Sequence, residues 1–343
     1  MRADLALIGF GNVGRRFARL LAETSACLAA QYDLTWRIAG IATARHGVAW
    51  ETNGIDAEAA IARVTRGEPI ATSPSTSFEI IERLGRSDAE LRVVVETTTL
   101  DIAAGQPAID HVRAAFAAGC HVVTANKGPA AFAFAPLRAA ADAAGVSFLF
   151  EGAVMDGVPV FNLVRDTLPA VEILGFRGIV NSTTNHILSA LEDGEAFGPA
   201  LSRMQAEGIA ESDPSLDVDG WDAAAKTAAL ANVLMDAGLT PHAVERTGIG
   251  EQTADAARHA RERGRRLRLV ASASRRADGA VDATVALVEL RADDLLAGVR
   301  GQANALVLRT DLLGDIAICQ LDGGLTHTAY ALLTDLITVR RRQ

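Results

Sequence analysis

The run Gly9-Phe10-Gly11-Asn12-Val13-Gly14 does most to limit what this chain can fold into. It closes a short apolar stretch, Asp4–Gly9. It opens a segment reaching to about Ala30, in which Val13, Phe17, Leu20 and Leu21 recur at helical spacing. The pattern predicts a strand, a tight turn and a helix. In G-x-G-x-x-G the first glycine permits the turn, the second lets backbone approach a pyrophosphate, and the third lets helix and strand pack closely. The amino end of the helix adds unpaired N–H groups and a positive dipole. Gly9, Gly11, Asn12, Val13 and Gly14 are therefore candidate dinucleotide contacts.

The rhythm that follows agrees with that start. Trp36–Ala42, Leu91–Glu96, His121–Thr124 and Val146–Phe150 read as strands, and Pro107–Ala118 and Pro129–Ala144 as helices. Consecutive valines at 93–95 suit a parallel strand buried on both faces. Alternation of this kind predicts a Rossmann-type doubly wound parallel sheet, an α/β domain over residues 1–150. After Gly152 the pattern changes. Val171–Asn181, Arg268–Ser274, Ala283–Leu290, Leu306–Arg309 and Ile316–Leu321 read as strands, and Thr183–Leu191 and Trp221–Ala237 as helices. Between them, Glu211–Gly220 reads as a loop. Clustered strands predict a second, α+β domain over 151–322, and Thr328–Val339 a last helix within 323–343.

Composition narrows the function classes. With 49% apolar and 22% charged residues, 343 residues can bury the cores of two domains. The net charge of −9 argues against nucleic acid and anionic membrane surfaces. The basic runs Arg261–Arg268 and Arg340–Arg342 read as solvated helix faces or a chain end. No apolar stretch approaches membrane-spanning length, and the amino terminus is not a basic-then-apolar leader. Cys27, Cys120 and Cys319 share no metal spacing, so a reduced, cytoplasmic compartment is expected.

Among 33 basic residues only Lys127 and Lys226 are lysines. Arginine stays protonated, whereas lysine can give up its proton, so both are candidate proton-transfer groups. Lys127 lies in Val122–Pro129, just past a strand, at the carboxyl edge where open α/β sheets bind ligands. Lys226 follows an acidic stretch containing Glu211, Asp213, Asp217, Asp219 and Asp222. Asp222 and Lys226, four apart, share a helix face. Such carboxylates suit a substrate ammonium; on spacing alone they equally suit a surface ion pair beside an acidic loop. The strand Ile38–Ala42 ends without the acid that usually holds an NAD ribose. Arg45 there suits a 2′-phosphate and Thr43 a further hydroxyl contact, so NADP is expected over NAD. The bland alternative is an Arg45 pointing into solvent.

Gly9–Gly14, Thr124–Pro129, Glu151–Pro159, Asn181–Leu188 and Glu211–Lys226 stand in an order and spacing that resembles the homoserine dehydrogenases over nearly the whole chain. The resemblance implies a nucleotide domain, a substrate and dimerisation domain, and a last helix returning toward the first. It implies reversible oxidation of L-homoserine to L-aspartate 4-semialdehyde with NAD(P), within threonine and methionine biosynthesis, by a homodimer. It places Lys226 as the proton-transfer lysine and Lys127 at the cofactor–substrate junction. Glu211 and Asp222 would hold homoserine, with Asp217 beside them. Gly208, Glu211 and Gly324 would line the nicotinamide side, and Thr97 would touch cofactor. Backbone carbonyls of Glu151, Val154, Asp156 and Val158 would hold a monovalent cation such as sodium. With the last helix read within 323–343, the chain is expected to lack the regulatory ACT domain of many relatives. Departures such as Ile209 and Asp156 keep open a related small amino acid or semialdehyde as substrate, and a non-catalytic NAD(P)-binding sensor is the alternative of a different class.

Overall fold

The computed structural model describes the whole chain except residues 72–74, 208–209 and 211–212. The chain divides into two compact units, Met1–Pro159 with Gly324–Gln343, and Val160–Gly323. The first contains β1 (Arg2–Ile8), α1 (Asn12–Tyr32), β2 (Thr35–Ala42), β3 (Val48–Trp50), α2 (Ala57–Thr65), α3 (Ser77–Gly85), β4 (Leu91–Glu96), α4 (Ala108–Ala117), β5 (His121–Thr124), α5 (Lys127–Ala144) and β6 (Phe148–Leu149). The second contains α6 (Phe161–Thr167), β7 (Ile173–Ile179), α7 (Ser182–Glu192), α8 (Phe197–Ala206), α9 (Ser215–Val218), α10 (Trp221–Met235), β8 (Glu245–Arg246), α11 (Thr253–Glu262), β9 (Arg265–Arg275), β10 (Val281–Arg291), β11 (Asn304–Thr310) and β12 (Asp315–Gln320). The last helix, α12 (Leu325–Arg341), belongs to the first unit.

The first sheet runs β3-β2-β1-β4-β5-β6 and is parallel from β2 to β6. Its edge strand β3 is antiparallel to β2, so the sheet departs from the all-parallel expectation there. A short return strand needs only a turn, whereas a parallel one needs a crossover. The valines of β4 are buried, as a strand covered on both faces requires. One face packs on α1 and α12, where Phe17, Leu20, Leu21 and Leu28 meet Leu332, Leu333, Leu336 and Val339. Each such side chain contributes roughly 1.5–3 kcal/mol by leaving water.

The first unit continues past the boundary read at residue 150. Residues Glu151–Pro159, expected to open the second domain, are fastened to α12 instead: the Glu151 N–H donates to the buried Asp335 carboxylate at 2.8 Å, and the Thr328 hydroxyl to Asp156 at 2.9 Å. Gly157 permits the approach, since a Cβ there would lie 2.5 Å from the His327 carbonyl oxygen.

The second sheet, β12-β11-β7-β9-β10-β8, is antiparallel except for the β10–β8 pair. Arg268, read from sequence as part of a solvated basic run, is fully buried in β9. It bonds the buried Glu192 carboxylate at 2.7 Å and the carbonyls of Val299 and Ala297, and so ties the carboxyl end of α7 to the sheet. Removing one partner of such a pair costs about 3–5 kcal/mol.

Candidate active site

The first unit gathers its candidate residues at the carboxyl edge of its sheet. Gly9 has φ +93°, and a Cβ on it would meet the Thr97 carbonyl carbon at 2.5 Å. A Cβ on Gly14 would stand 2.8 Å from the Gly9 oxygen, so both glycines are dictated by close packing. Gly11 is different: a Cβ there would meet nothing within 4 Å. It caps α1 without a side-chain bond, leaving exposed backbone of the kind a pyrophosphate needs. These three environments fit the three roles of a dinucleotide loop. Asn12, exposed in the first turn, accepts from Arg15 at 2.7 Å, which puts a cation beside the loop. Arg15 is not among the contacts expected from sequence, although a basic residue in the first turn after such glycines is itself a signal. Val13 packs against the core.

Thr97 follows β4 and donates its hydroxyl to the Gly9 oxygen at 2.9 Å. Lys127 is the first residue of α5, after a cap in which the Asn126 side chain accepts from the Gly128 N–H at 2.8 Å. At the end of β2 there is no acid, and Arg45 is exposed. Thr43 is engaged in its own turn. Its hydroxyl donates to the Gly47 oxygen at 3.1 Å and accepts from the His46 N–H at 2.7 Å, so its proton is already committed. Gly324 caps α12 with φ +150°. Glu151, Val154 and Asp156 lie in a buried to half-buried turn that Val158 completes by donating to the Met155 oxygen at 3.0 Å; Asp156 has φ +48°.

In the second unit β7 ends at Ile179 and hands the chain to α7 through Val180 and Asn181. Lys226, in α10, donates to the Val180 oxygen at 2.7 Å and pairs with Asp222 at 3.0 Å. Asn181 is the cap of α7. Its Oδ1 accepts from the Thr184 N–H at 2.8 Å, while its Nδ2 donates to Asp217 at 2.7 Å and to Asp222 at 2.8 Å. One amide thus joins both carboxylates and stands next to the carbonyl that receives the lysine. Burial, and then the charge of Asp222, raise the Asp217 carboxyl above its ordinary value, against the Asn181 bond and the charge of Lys226. The structure therefore unites Asp217, Asp222 and Lys226, and adds Asn181, which the sequence reading missed. Asn before Ser-Thr-Thr at a strand end signals a helix cap, but not what the other end of the amide does. Gly208 and Glu211 lie outside the described residues. No helix among the described residues is long and apolar enough to cross a membrane.

Comparison with known proteins agrees over the whole length. Residues 9–151 match the family model described as homoserine dehydrogenase, NAD binding domain, and residues 159–337 match the homoserine dehydrogenase model. An NAD(+)-dependent homoserine dehydrogenase of Pseudomonas canavaninivorans is 37% identical over 98% of this chain and 96% of its own. The homoserine dehydrogenase of Methanocaldococcus jannaschii is 34% identical over 98% of each chain. Among solved structures, a homoserine dehydrogenase from Thiobacillus denitrificans superposes with a TM-score of 0.83 at 30% identity, covering 99% of this chain and 74% of that one. A hyperthermophilic archaeal homoserine dehydrogenase in complex with NADPH gives 0.79 at 27% identity, covering 100% and 99%. With the NAD binding domain model matching one unit and the homoserine dehydrogenase model matching the other, where the carboxylate–lysine cluster lies, the chain belongs to the homoserine dehydrogenase family of NAD(P)-dependent oxidoreductases.

Proposed function

We propose that the chain interconverts L-homoserine and L-aspartate 4-semialdehyde, with Lys226 moving the proton. The observation that carries this is the cluster around Asn181, where two carboxylates and the second unit's only lysine are held by one pair of residues. Asp222, with Asp217 beside it and Glu211 by resemblance, holds the ammonium of the amino acid through charge-assisted contacts. That orientation removes most of the entropic cost of bringing the hydroxyl to Lys226. In oxidation the neutral amine of Lys226 takes the hydroxyl proton while the same carbon loses hydride; in reduction the ammonium returns it. The nicotinamide, when bound, accepts or supplies the hydride. Gly9, Gly11, Asn12, Val13, Gly14 and Thr97 would hold that cofactor in the first unit, with Gly208 and Gly324 on the nicotinamide side and Lys127 at its junction with substrate.

Three finer assignments belong to the same proposal. NADP is preferred, because the end of β2 lacks an acid and Arg45 is exposed beyond Ala42, whose oxygen accepts the Gly9 N–H at 2.9 Å. The Pseudomonas relative, named as NAD(+)-dependent, favours the opposite preference. The turn of Glu151, Val154, Asp156 and Val158 takes a monovalent cation on its carbonyls. The positive φ at Asp156 and the carboxylates of Asp156, Glu151 and Asp335 close by give it hard, negative surroundings. The protein acts in the cytoplasm as a homodimer; its three cysteines are free.

The test is reduction of NAD and NADP, followed by absorbance, with L-homoserine as substrate. Lys226→Arg keeps the charge but removes a usable base, so turnover is expected to fall about 10²-fold or more with little change in cofactor affinity. Near-normal turnover would move the role to Lys127. Arg45→Ala is expected to abolish a roughly ten- to hundredfold preference for NADP. A wild type that prefers NAD overturns the Arg45 reading and leaves the rest standing.

A further inference from the structure

Glu96 ends β4, after three buried valines, with no exposed surface. Among the described residues its carboxyl has only Thr98 and Thr124 as partners, and no cation. A carboxyl buried without a counter-charge is costly, and its place at the ligand-binding edge of the sheet asks what offsets the cost. Its bonds give the answer. Oε1 accepts from the Thr98 N–H at 3.0 Å and from the Thr98 hydroxyl, while Oε2 lies 2.9 Å from the Thr124 hydroxyl. Thr98 is in the turn after β4, and Thr124 is the last residue of β5.

Both turns lead to the cofactor side. The first begins with Thr97, bonded to the Gly9 oxygen. The second passes through Asn126, whose N–H donates to the Thr124 hydroxyl at 2.9 Å and whose side-chain amide reaches back to the Thr98 oxygen at 3.0 Å. The same side chain caps α5, and the next residue is Lys127. Glu96, Thr98, Thr124 and Asn126 thus form one closed set of bonds, with Thr97 at one end and Lys127 at the other.

We infer that Glu96 is a positioning residue of the nucleotide site: its carboxyl locks together the turns after β4 and β5, and so fixes Thr97 and Lys127 for the cofactor. The inference rests on the nucleotide-site assignment above. Burial raises the carboxyl to about 7, against the bonds from Thr98 and Thr124, so neutral pH finds it part neutral and part ionised. The neutral form can donate its proton to the Thr124 hydroxyl, which is then free to donate to the Glu96 carbonyl oxygen, also 2.9 Å away. The ionised form can only accept. Ionisation therefore changes the direction of bonds within the lock.

The experiment measures the dissociation constant of NADH and NADPH by fluorescence, without substrate, from about pH 6 to about pH 9. In the wild type it should change through an ionisation near the value of about 7. Glu96→Gln imitates the neutral carboxyl at every pH: its affinity should stay within about threefold of the low-pH wild type, and the ionisation should vanish. Glu96→Leu fills the space but strands the Thr98 N–H and hydroxyl, while the Thr124 hydroxyl keeps only the backbone carbonyl of residue 96, so affinity should fall about tenfold or more, the usual effect of stranding a buried donor. A Gln variant with the wild-type pH course overturns the inference, as does a folded Leu variant with wild-type affinity. Should the Leu variant not fold, the Gln comparison decides. A wild type that binds neither nucleotide would instead overturn the nucleotide-site assignment.

Discussion

Asn181 uses both ends of its amide, one to start a helix and one to hold two acids. The two tasks separate in a substitution. Asn181→Ser keeps an oxygen that caps helices as well as Asn does, yet removes both N–H groups from Asp217 and Asp222. The homoserine KM is expected to rise about tenfold or more, with the melting temperature nearly unchanged. A variant with unaltered KM, or one that loses stability as heavily as Asn181→Ala, would show that the amide serves only the helix. Glu96 carries a stability prediction of its own. Its folded value of about 7 stands above the ordinary 4.5, so between the two the folded protein binds a proton that the unfolded chain has released. Stability relative to Glu96→Gln should therefore fall as pH rises from about 4.5 to about 7, by a few kcal/mol, and level off above. Denaturant midpoints of the two proteins that run parallel across that window would contradict this. Neither residue was legible as functional from sequence. The rarity of lysine singled out Lys127 and Lys226 because a count needs no geometry, whereas an Asn or Glu acquires its role from what the fold sets against it.

At the scale of elements, the corner between α9 and α10 carries Asp217 and Asp222 into the site. The loop read over Glu211–Gly220 holds the one-turn helix α9, which local sequence hardly favours and which β8 and the residues just after it support. Ile249 donates its N–H to the Val218 oxygen at 2.7 Å, and a Cβ on Gly248 would come within 2.6 Å of that same oxygen. Arg246 of β8 bonds the Asp219 carbonyl and lies 3.5 Å from the Trp221 ring centroid, with His242 edge-on at 5.1 Å. Gly248→Ala should push α9 from this support, raise the homoserine KM several-fold and cost about 1–3 kcal/mol of stability, while leaving cofactor affinity alone. Isothermal titration with cofactor beside steady-state kinetics checks both halves; a weakened cofactor site would refute so local an effect. Long periodic elements such as β4, α10 and β9 were readable because their patterns are satisfied within the segment. The short β3 and β8 were not, since two or three residues hold no period and exist through their partners.

At the scale of the whole molecule, the register of the second sheet lines up Ala317, Val307, Arg177, Ser272 and Thr284 in one row across five strands. Ala317 is exposed, and Arg177, Ser272 and Thr284 are half-buried, beside a groove of about 290 Å³. Val307 is buried with Leu296 and Ala297, and Arg177 bonds Asp294 at 2.6 Å, so the segment Leu295–Gly298 already packs on part of this face; the small and polar remainder suits the proposed second copy of the chain. Ser272→Arg at the middle of the row is expected to convert a dimer to monomers in sedimentation; a dimer that survives it is built on another surface.

The first unit is divided along the chain: its sheet is made from residues 1–159, and its α12 comes from residues 325–341. On a ribosome making about 5–20 residues per second, on the order of ten seconds separate Pro159 from α12. Through that interval Leu20, Leu21 and Leu28 of α1 lack Leu332, Leu333 and Leu336, and the turn at Glu151 lacks Asp335. The nascent first unit therefore waits with an apolar face open while the second is made, and the two cannot mature in the order in which their residues are translated. The docking of α12 is the step that closes this apolar face and completes the first unit.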